Sequence, residues 1–180
     1  PLPGQPEVGE GVPPPFAITL PEGWITEHLT VPVRDQLTRG EVPLTVFAGP
    51  IPAHQDITGW IVVLWGFPSI SARPEPDPWA DCLRFLRGAL LDPSCNTATD
   101  LAQNYRLGGR EAIGTTFSAV GCHGEPDTAG WFAGINVYGG NYVFFVYTEP
   151  REGIELARET LQGILDTIVW QPIPTRTPEP

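Results

Sequence analysis

The stretch from Asn141 to Trp170, NYVFFVYTEPREGIELARETLQGILDTIVW, constrains the fold more than any other part of the chain. Residues Tyr142 to Tyr147 are six aromatic or β-branched residues in a row. Such side chains suit a pleated surface, and a run without a polar gap suits a strand covered on both faces. The period then changes. Ile154, Ala157, Leu161, Ile164, Leu165 and Ile168 recur at steps of three and four, the apolar stripe of an amphipathic helix. Pro150 falls in the first turn of that helix, with Glu149 and Glu152 near the positive end of its dipole. A buried strand that feeds a covering helix is the unit of an α+β layer.

The rest of the chain is read around this unit. Phe16–Leu20 is expected as a short strand, turning at Pro21-Glu22-Gly23 into a second arm at Trp24-Ile25. Val42–Ala48 and Trp60–Trp65 read as strands, with His54–Gly59 as polar turn material between them. Asp77 is a good N-cap with Pro78 at the first helical position. Trp79, Cys82, Leu83, Leu86 and Leu90 then form a helical stripe over 78–91, and Asp100–Tyr105 suggests a further helical turn. Gly108-Gly109 and Gly139-Gly140 separate strand-like runs by short turns, which makes those strands antiparallel neighbours. The expected fold is α+β: a central antiparallel β-sheet flanked by helices, an α/β/α-type sandwich. Residues 1–15, with six prolines and three glycines, read as a semi-rigid linker unable to build a ladder. Residues 172–180 read as a Pro/Thr-rich tail, which leaves 16–171 as a single domain.

Charge narrows the partners. The formal net charge is −11, and all ten basic residues are arginines. Such a chain repels nucleic acid and anionic lipid. No apolar run approaches the length of about 18 residues that a membrane span needs. Methionine is absent, position 1 included, so the chain reads as a processed or trimmed product, and a matured export product fits.

Candidate chemistry is sparse. Ser69, Ser71, Ser94 and Ser118 lie outside any G-x-S-x-G context. Cys122 and His123 are sequence neighbours and would point to opposite faces of a strand, leaving only His28 and His54 to partner a thiolate. No catalytic residue is assigned. His123, Glu125 and Asp127 alternate on one loop and could converge on zinc or manganese, but Gly, Pro and Asp there also make an ordinary solvated turn, which is the preferred reading. No cofactor is expected: the glycine pairs lack the P-loop pattern, and no lysine exists to meet a phosphate. Of the six tryptophans, one or two at most are expected at the surface, where they would mark a partner site. Cys82 lies on the helical stripe and reads as a buried thiol. Cys95 and Cys122 lie in polar loops and are expected to form a disulfide; the odd cysteine count also leaves room for a lipidated cysteine upstream of Pro1.

Three pieces in order resemble the PsbP-like family: FAITLPEGW its strand and Pro-x-Gly-Trp opening, GGREAIGTTF its middle strand, and YVFFVYTEPREGIELARETLQGILDTIVW its last strand and long helix. The family includes the lumenal extrinsic subunit of photosystem II, bacterial envelope lipoproteins and a nuclear-import factor that binds the GTPase Ran. The resemblance implies a binding or assembly role and brings no shared catalytic set. The expected function is a non-catalytic extracytoplasmic accessory domain, secreted, periplasmic or lipid-anchored at the cell surface. It would associate with a larger membrane or envelope complex through a protein partner. The alternative is a small-ligand or metal-binding envelope protein.

Overall fold

Strand β10 (Gly140–Glu149) lies in the middle of an antiparallel sheet, with Val143, Phe144 and Val146 wholly buried. The computed structural model describes residues 9–34, 39–69, 75–88 and 94–172. Its other strands are β1 (Gly9–Glu10), β2 (Phe16–Ala17), β3 (Ile25–Arg34), β4 (Arg39–Ile51), β5 (His54–Trp65), β6 (Asn96–Thr99), β7 (Gln103–Leu107), β8 (Arg110–Val120), β9 (Thr128–Val137) and β11 (Val169–Trp170). The helices are α1 (Pro78–Gly88) and α2 (Ile154–Asp166), the latter entered through a 3₁₀ turn at Arg151–Gly153. Among the described residues the main sheet has nine strands in the order β1-β3-β4-β5-β10-β9-β8-β6, with β7 also on the edge of β8. It joins two meanders, β3-β4-β5 and β8-β9-β10, along the β5–β10 seam, where Phe144 faces Val63 and Phe145 faces Val62. The β9–β10 hairpin closes through Tyr138 and Gly139, both at positive φ (50° and 79°). That is the conformation a tight two-residue hairpin turn requires.

The expected α+β class with α/β/α-type layering is overturned. The described residues are mostly β-sheet, 54% strand, with two short helices among them. The sequence reading lost strand content wherever polar residues alternate with apolar ones. His54–Gly59, expected as a turn, is the first half of β5: its polar residues face outward while Ile57 is buried. Strand β3, ITEHLTVPVR, extends well past the expected arm at Trp24-Ile25; its alternation is masked by the adjacent polar Glu27 and His28 and by Pro32. Pro32 is tolerated because β1 pairs only with Leu29 and Thr30, so no ladder bond is asked of it on that side. Asp100–Tyr105 makes no helical turn; β6 and β7 run there instead, both along β8. Phe16 does not pair with Trp24-Ile25. Strand β2 pairs with β11, so the two ends of the described body are clasped together.

Other expectations meet the structure directly. Asp77 caps α1, its Oδ1 accepting from Ala80 N at 3.1 Å. The helix is described to Gly88, and the remainder of the expected 78–91 span lies outside the described residues. Among its described side chains Asp81, Cys82 and Phe85 are buried and Trp79 and Leu83 half-buried; Leu86 and Leu90 of the expected stripe lie outside that description. Of the proline-rich ends, residues 1–8 and 173–180 lie outside the described residues. Gly9–Glu10, inside the expected linker, does build a ladder, because the window between Pro6 and Pro13 keeps its N–H groups; Gly11 N donates to His28 O at 3.1 Å.

Pleating divides the core into two clusters, one on each face. One joins Tyr142, Phe144 and Val146 of β10 with Ile61 and Val63 of β5, Trp131 and Ala133 of β9, and Ile154, Ala157, Leu161, Ile164, Leu165 and Ile168. Every member of the expected α2 stripe is thus buried. The clasp seals this face further. Phe16 and Trp170 meet at 5.5 Å between ring centroids, and Tyr142 lies 5.0 Å from Trp170. The second cluster joins Val143 and Phe145 with Val62, Leu64, Phe117, Phe132, Phe67, Cys82 and Phe85. Helix α1 reaches this face over Gly134, where a Cβ would stand 2.8 Å from Cys82 Sγ and 2.5 Å from Pro78 O. Only glycine allows that approach.

Candidate functional site

Alternate positions on neighbouring strands form rows across the α1 face. One row is Leu44–Leu64–Val143–Gly134, and α1 packs on the β10 and β9 end of it. Another, Ala48–Trp60–Tyr147–Gly130–Phe117, lies four residues further along β10, about 13 Å away at 3.3 Å per residue. Gly130 brings no side chain to that row, and a Cβ there would collide with the Val146 carbonyl. Tyr147 and Phe117 of this row both line a cleft of about 290 Å³.

The floor of the cleft is apolar. Val62, Phe117 and Phe145 line it, and the fully buried Phe132 packs against both phenylalanine rings, with ring centroids in the trio 5.5 to 6.2 Å apart. Tyr147 forms one wall, backed by Trp60 in a parallel stack at 5.9 Å. Glu149, at the end of β10, and Glu125, on the loop between β8 and β9, line the rim with Pro126 and Thr128. Glu149 is half-buried and Glu125 exposed. Neither forms an ion pair with any described residue. Burial pushes the Tyr147 hydroxyl well above the usual tyrosine range, and the nearby Glu149 and Glu125 carboxylates push it further. Tyr147 therefore stays neutral. Tyr147, Glu149 and Glu125 all line the same cleft.

The loop that carries Glu125 is held at both ends. Cys95 and Cys122 form the expected disulfide across a separation of 27 residues. Gly121 N donates to Asp127 Oδ1 at 2.8 Å, and His123 N donates to Ser94 Oγ at 3.0 Å. The three candidate metal ligands are thus put to different uses. Asp127 clamps the turn, Glu125 lines the cleft, and the exposed His123 ties the loop to Ser94 through its backbone. Among the described residues no three His, Cys, Asp or Glu side chains are grouped to hold a metal ion. The third cysteine, Cys82, is a buried free thiol whose pKa burial drives upward, with Asp81 adding to the effect. A thiol held protonated in this way is inert rather than nucleophilic.

A second, shallower depression lies between β7 and α2, lined by Asn104, Arg106, Gln162 and Asp166. Part of its polar lining is engaged internally: Gln162 Nε2 donates to Arg106 O at 3.0 Å and to Asp166 Oδ1 at 2.9 Å. The sequence did not distinguish the cleft from the core. Val62, Phe117 and Phe145 read as core residues, and Glu149 read as a partner for the α2 dipole. The one available signal is Tyr147 followed by Glu149, a polar-tipped aromatic and a carboxylate closing an otherwise apolar strand.

The fold is similar to the solution structure of cyanobacterial PsbP (CyanoP) from Synechocystis sp. PCC 6803, with a TM-score of 0.52 at 13% sequence identity over 91% of each chain. No family model matches the chain, and no curated protein matches it in sequence. At that identity the likeness speaks to architecture alone. The chain has a PsbP-like fold.

Proposed function

We propose that the chain is a non-catalytic binding domain that works outside the cytoplasm, docking onto a larger membrane-associated or envelope protein assembly and stabilising it. The observation that carries this reading is the cleft, an apolar floor left open on the sheet and rimmed by two carboxylates without ion-pair partners among the described residues. A concave, mostly apolar pocket with a few polar groups at its mouth is the usual form of a binding site. The PsbP-like fold supports an accessory role, and the disulfide fits an oxidising compartment. No described helix is long and apolar enough to cross a membrane, so a membrane-associated assembly would be met through its protein subunits.

The test is capture from detergent-solubilised native membranes, using the wild-type chain and a Glu125→Arg/Glu149→Arg variant. An assembly held by the wild type and released by charge reversal supports docking through the cleft. Equal capture by both moves the contact elsewhere, and a wild-type chain that retains nothing sinks the accessory role. A second reading, a small-ligand or metal-binding envelope protein, is favoured by the cleft volume, which is close to the lower end of ordinary ligand pockets. A stoichiometric metal on the purified protein, lost in His123→Ala, would establish its metal form.

A further inference from the structure

We infer that the cleft receives an arginine or lysine side chain of the partner polypeptide, its alkyl stem on Phe117 and Phe145 and its charged head between Glu125 and Glu149. The inference rests on the docking reading and names the chemistry that would be docked. Three features of the cleft specify this occupant.

The first is depth. The floor residues Val62, Phe117 and Phe145 are all buried, so the bottom of the cleft is sheet surface rather than loop. A volume of about 290 Å³ suits one long side chain and its immediate neighbours rather than a folded element. The second is the division of chemistry between floor and rim. Long basic side chains are amphipathic, an apolar stem ending in a charged head, and they bury the stem while the head stays near water. The cleft has the complementary arrangement, with phenylalanine below and carboxylates at the mouth. Tyr147 adds an aromatic wall, and a guanidinium or ammonium gains further from an aromatic face. The third is charge. Among the described residues no basic side chain lines the cleft, so none of them neutralises Glu125 and Glu149 from within it. Both raise the pKa of Tyr147, so both act on the same small volume, where a cation would relieve them and an anion would be repelled. The chain as a whole, at −11, steers cations toward itself. The disulfide and the Asp127 clamp hold the Glu125 loop, so less ordering entropy is lost on binding.

The test is an NMR titration of the full chain with n-butylguanidinium, n-pentanol and the peptide acetyl-Leu-Arg-Leu-amide. Butylguanidinium is expected to shift resonances of Val62, Phe117, Phe145 and Tyr147. Its affinity should fall at least about fivefold in Glu125→Gln/Glu149→Gln, and it should also fall as salt is raised. The peptide is expected to bind more tightly than butylguanidinium. If pentanol binds as well as the cation, or the double variant binds the cation unchanged, the cation assignment is overturned while the cleft stands as a binding site. If none of the probes shifts the cleft, both the inference and the docking reading through this face fall. If the peptide gains nothing over butylguanidinium, the occupant is a free amine rather than a polypeptide, and the partner assignment is overturned.

Discussion

On the α2 face of β10, Tyr142, Phe144 and Val146 lie beneath a helix and a clasp made from both ends of the body. On the α1 face, Val143, Phe145 and Tyr147 run from an end covered by α1 to an open end with no α1 residue in its lining. The side chains of the two faces are chemically alike. What differs is the cover, and the cover follows from glycine and proline placement as much as from hydrophobicity. Gly134 lets α1 settle at one end of its face, while the cleft at the other end is lined by strand and loop residues alone. One face is committed to stability. The other is divided between stability and contact.

The largest expected effect falls on the closed face. Phe144→Ala removes a fully buried ring that touches Phe16 and Trp170, and it should destabilise by about 3–5 kcal/mol. Tyr147→Ala, three positions along on the open face, should destabilise by about 1–2 kcal/mol, because its ring is half-buried and already borders space. Urea denaturation of both variants checks the ratio. Equal losses would mean that the open face is as structural as the closed one.

Next is the cross-link that holds the cleft loop. Replacing Cys95 and Cys122 by alanine should cost about 3 kcal/mol in the chain-entropy model for a loop of 27 residues. The unfolded, unreduced wild type should titrate a single thiol, that of Cys82. A comparable effect is expected where α1 meets the sheet. Gly134→Ala puts a methyl against the Pro78 carbonyl and the Cys82 sulfur, and should destabilise by about 1–3 kcal/mol. A neutral result would show that α1 rides loosely, and that the covered end of its face is as open as the cleft.

How far these features could be read in advance follows the same division. The closed face was legible: the run from Tyr142 to Tyr147 and the stripe from Ile154 to Ile168 announce themselves by period, because burial on one face forces regular spacing. The sheet around them was not. Strand β3 has the period of a half-buried strand, but Glu27, His28 and Pro32 mask it, and β5 begins within HQDIT, which local composition assigns to a turn. The clasp of Phe16 against Trp170 spans nearly the whole domain and has no local signal. The cleft was illegible for a different reason. Phe117 and Phe145 satisfy every criterion for core residues, and they are core residues; a functional floor and a core differ only in what fails to cover them. Glu125 stands out in the sequence by its spacing from His123 and Asp127, yet it lines the cleft with Tyr147, and the three are not grouped to hold a metal ion.

Alkaline pH loads both faces at once. Burial pushes the hydroxyls of Tyr105 and Tyr142, packed on the closed face, up to about 12, and Tyr147 on the open face moves in the same direction. Each pKa in the folded state exceeds the value of about 10 expected in the unfolded chain. The unfolded state therefore releases protons first as pH rises. The stability these groups contribute is intact below pH about 10 and is lost as pH climbs through about 12. Denaturation midpoints measured between pH 8 and 11.5 should fall progressively above pH 10, and a flat profile would contradict the burial of these hydroxyls.

The smallest effect on stability is the one that separates contact from structure. Glu125→Gln/Glu149→Gln removes two like charges that flank one cleft and have no ion-pair partners among the described residues. Exposed substitutions of this kind change stability by less than about 0.5 kcal/mol, and here the relief of repulsion favours a slight gain. The same variant should lower the pH at which Tyr147 ionises, because Glu149 and Glu125 both oppose its negative charge, while burial keeps it above the ordinary tyrosine value. Phenolate absorbance followed against pH in the wild type, the double variant and Tyr147→Phe isolates that hydroxyl. An unchanged titration would place the carboxylates too far from Tyr147 to share an occupant with it. An earlier ionisation with no loss of stability would mark the open end of this face as a place where charge is kept for a partner rather than for the fold.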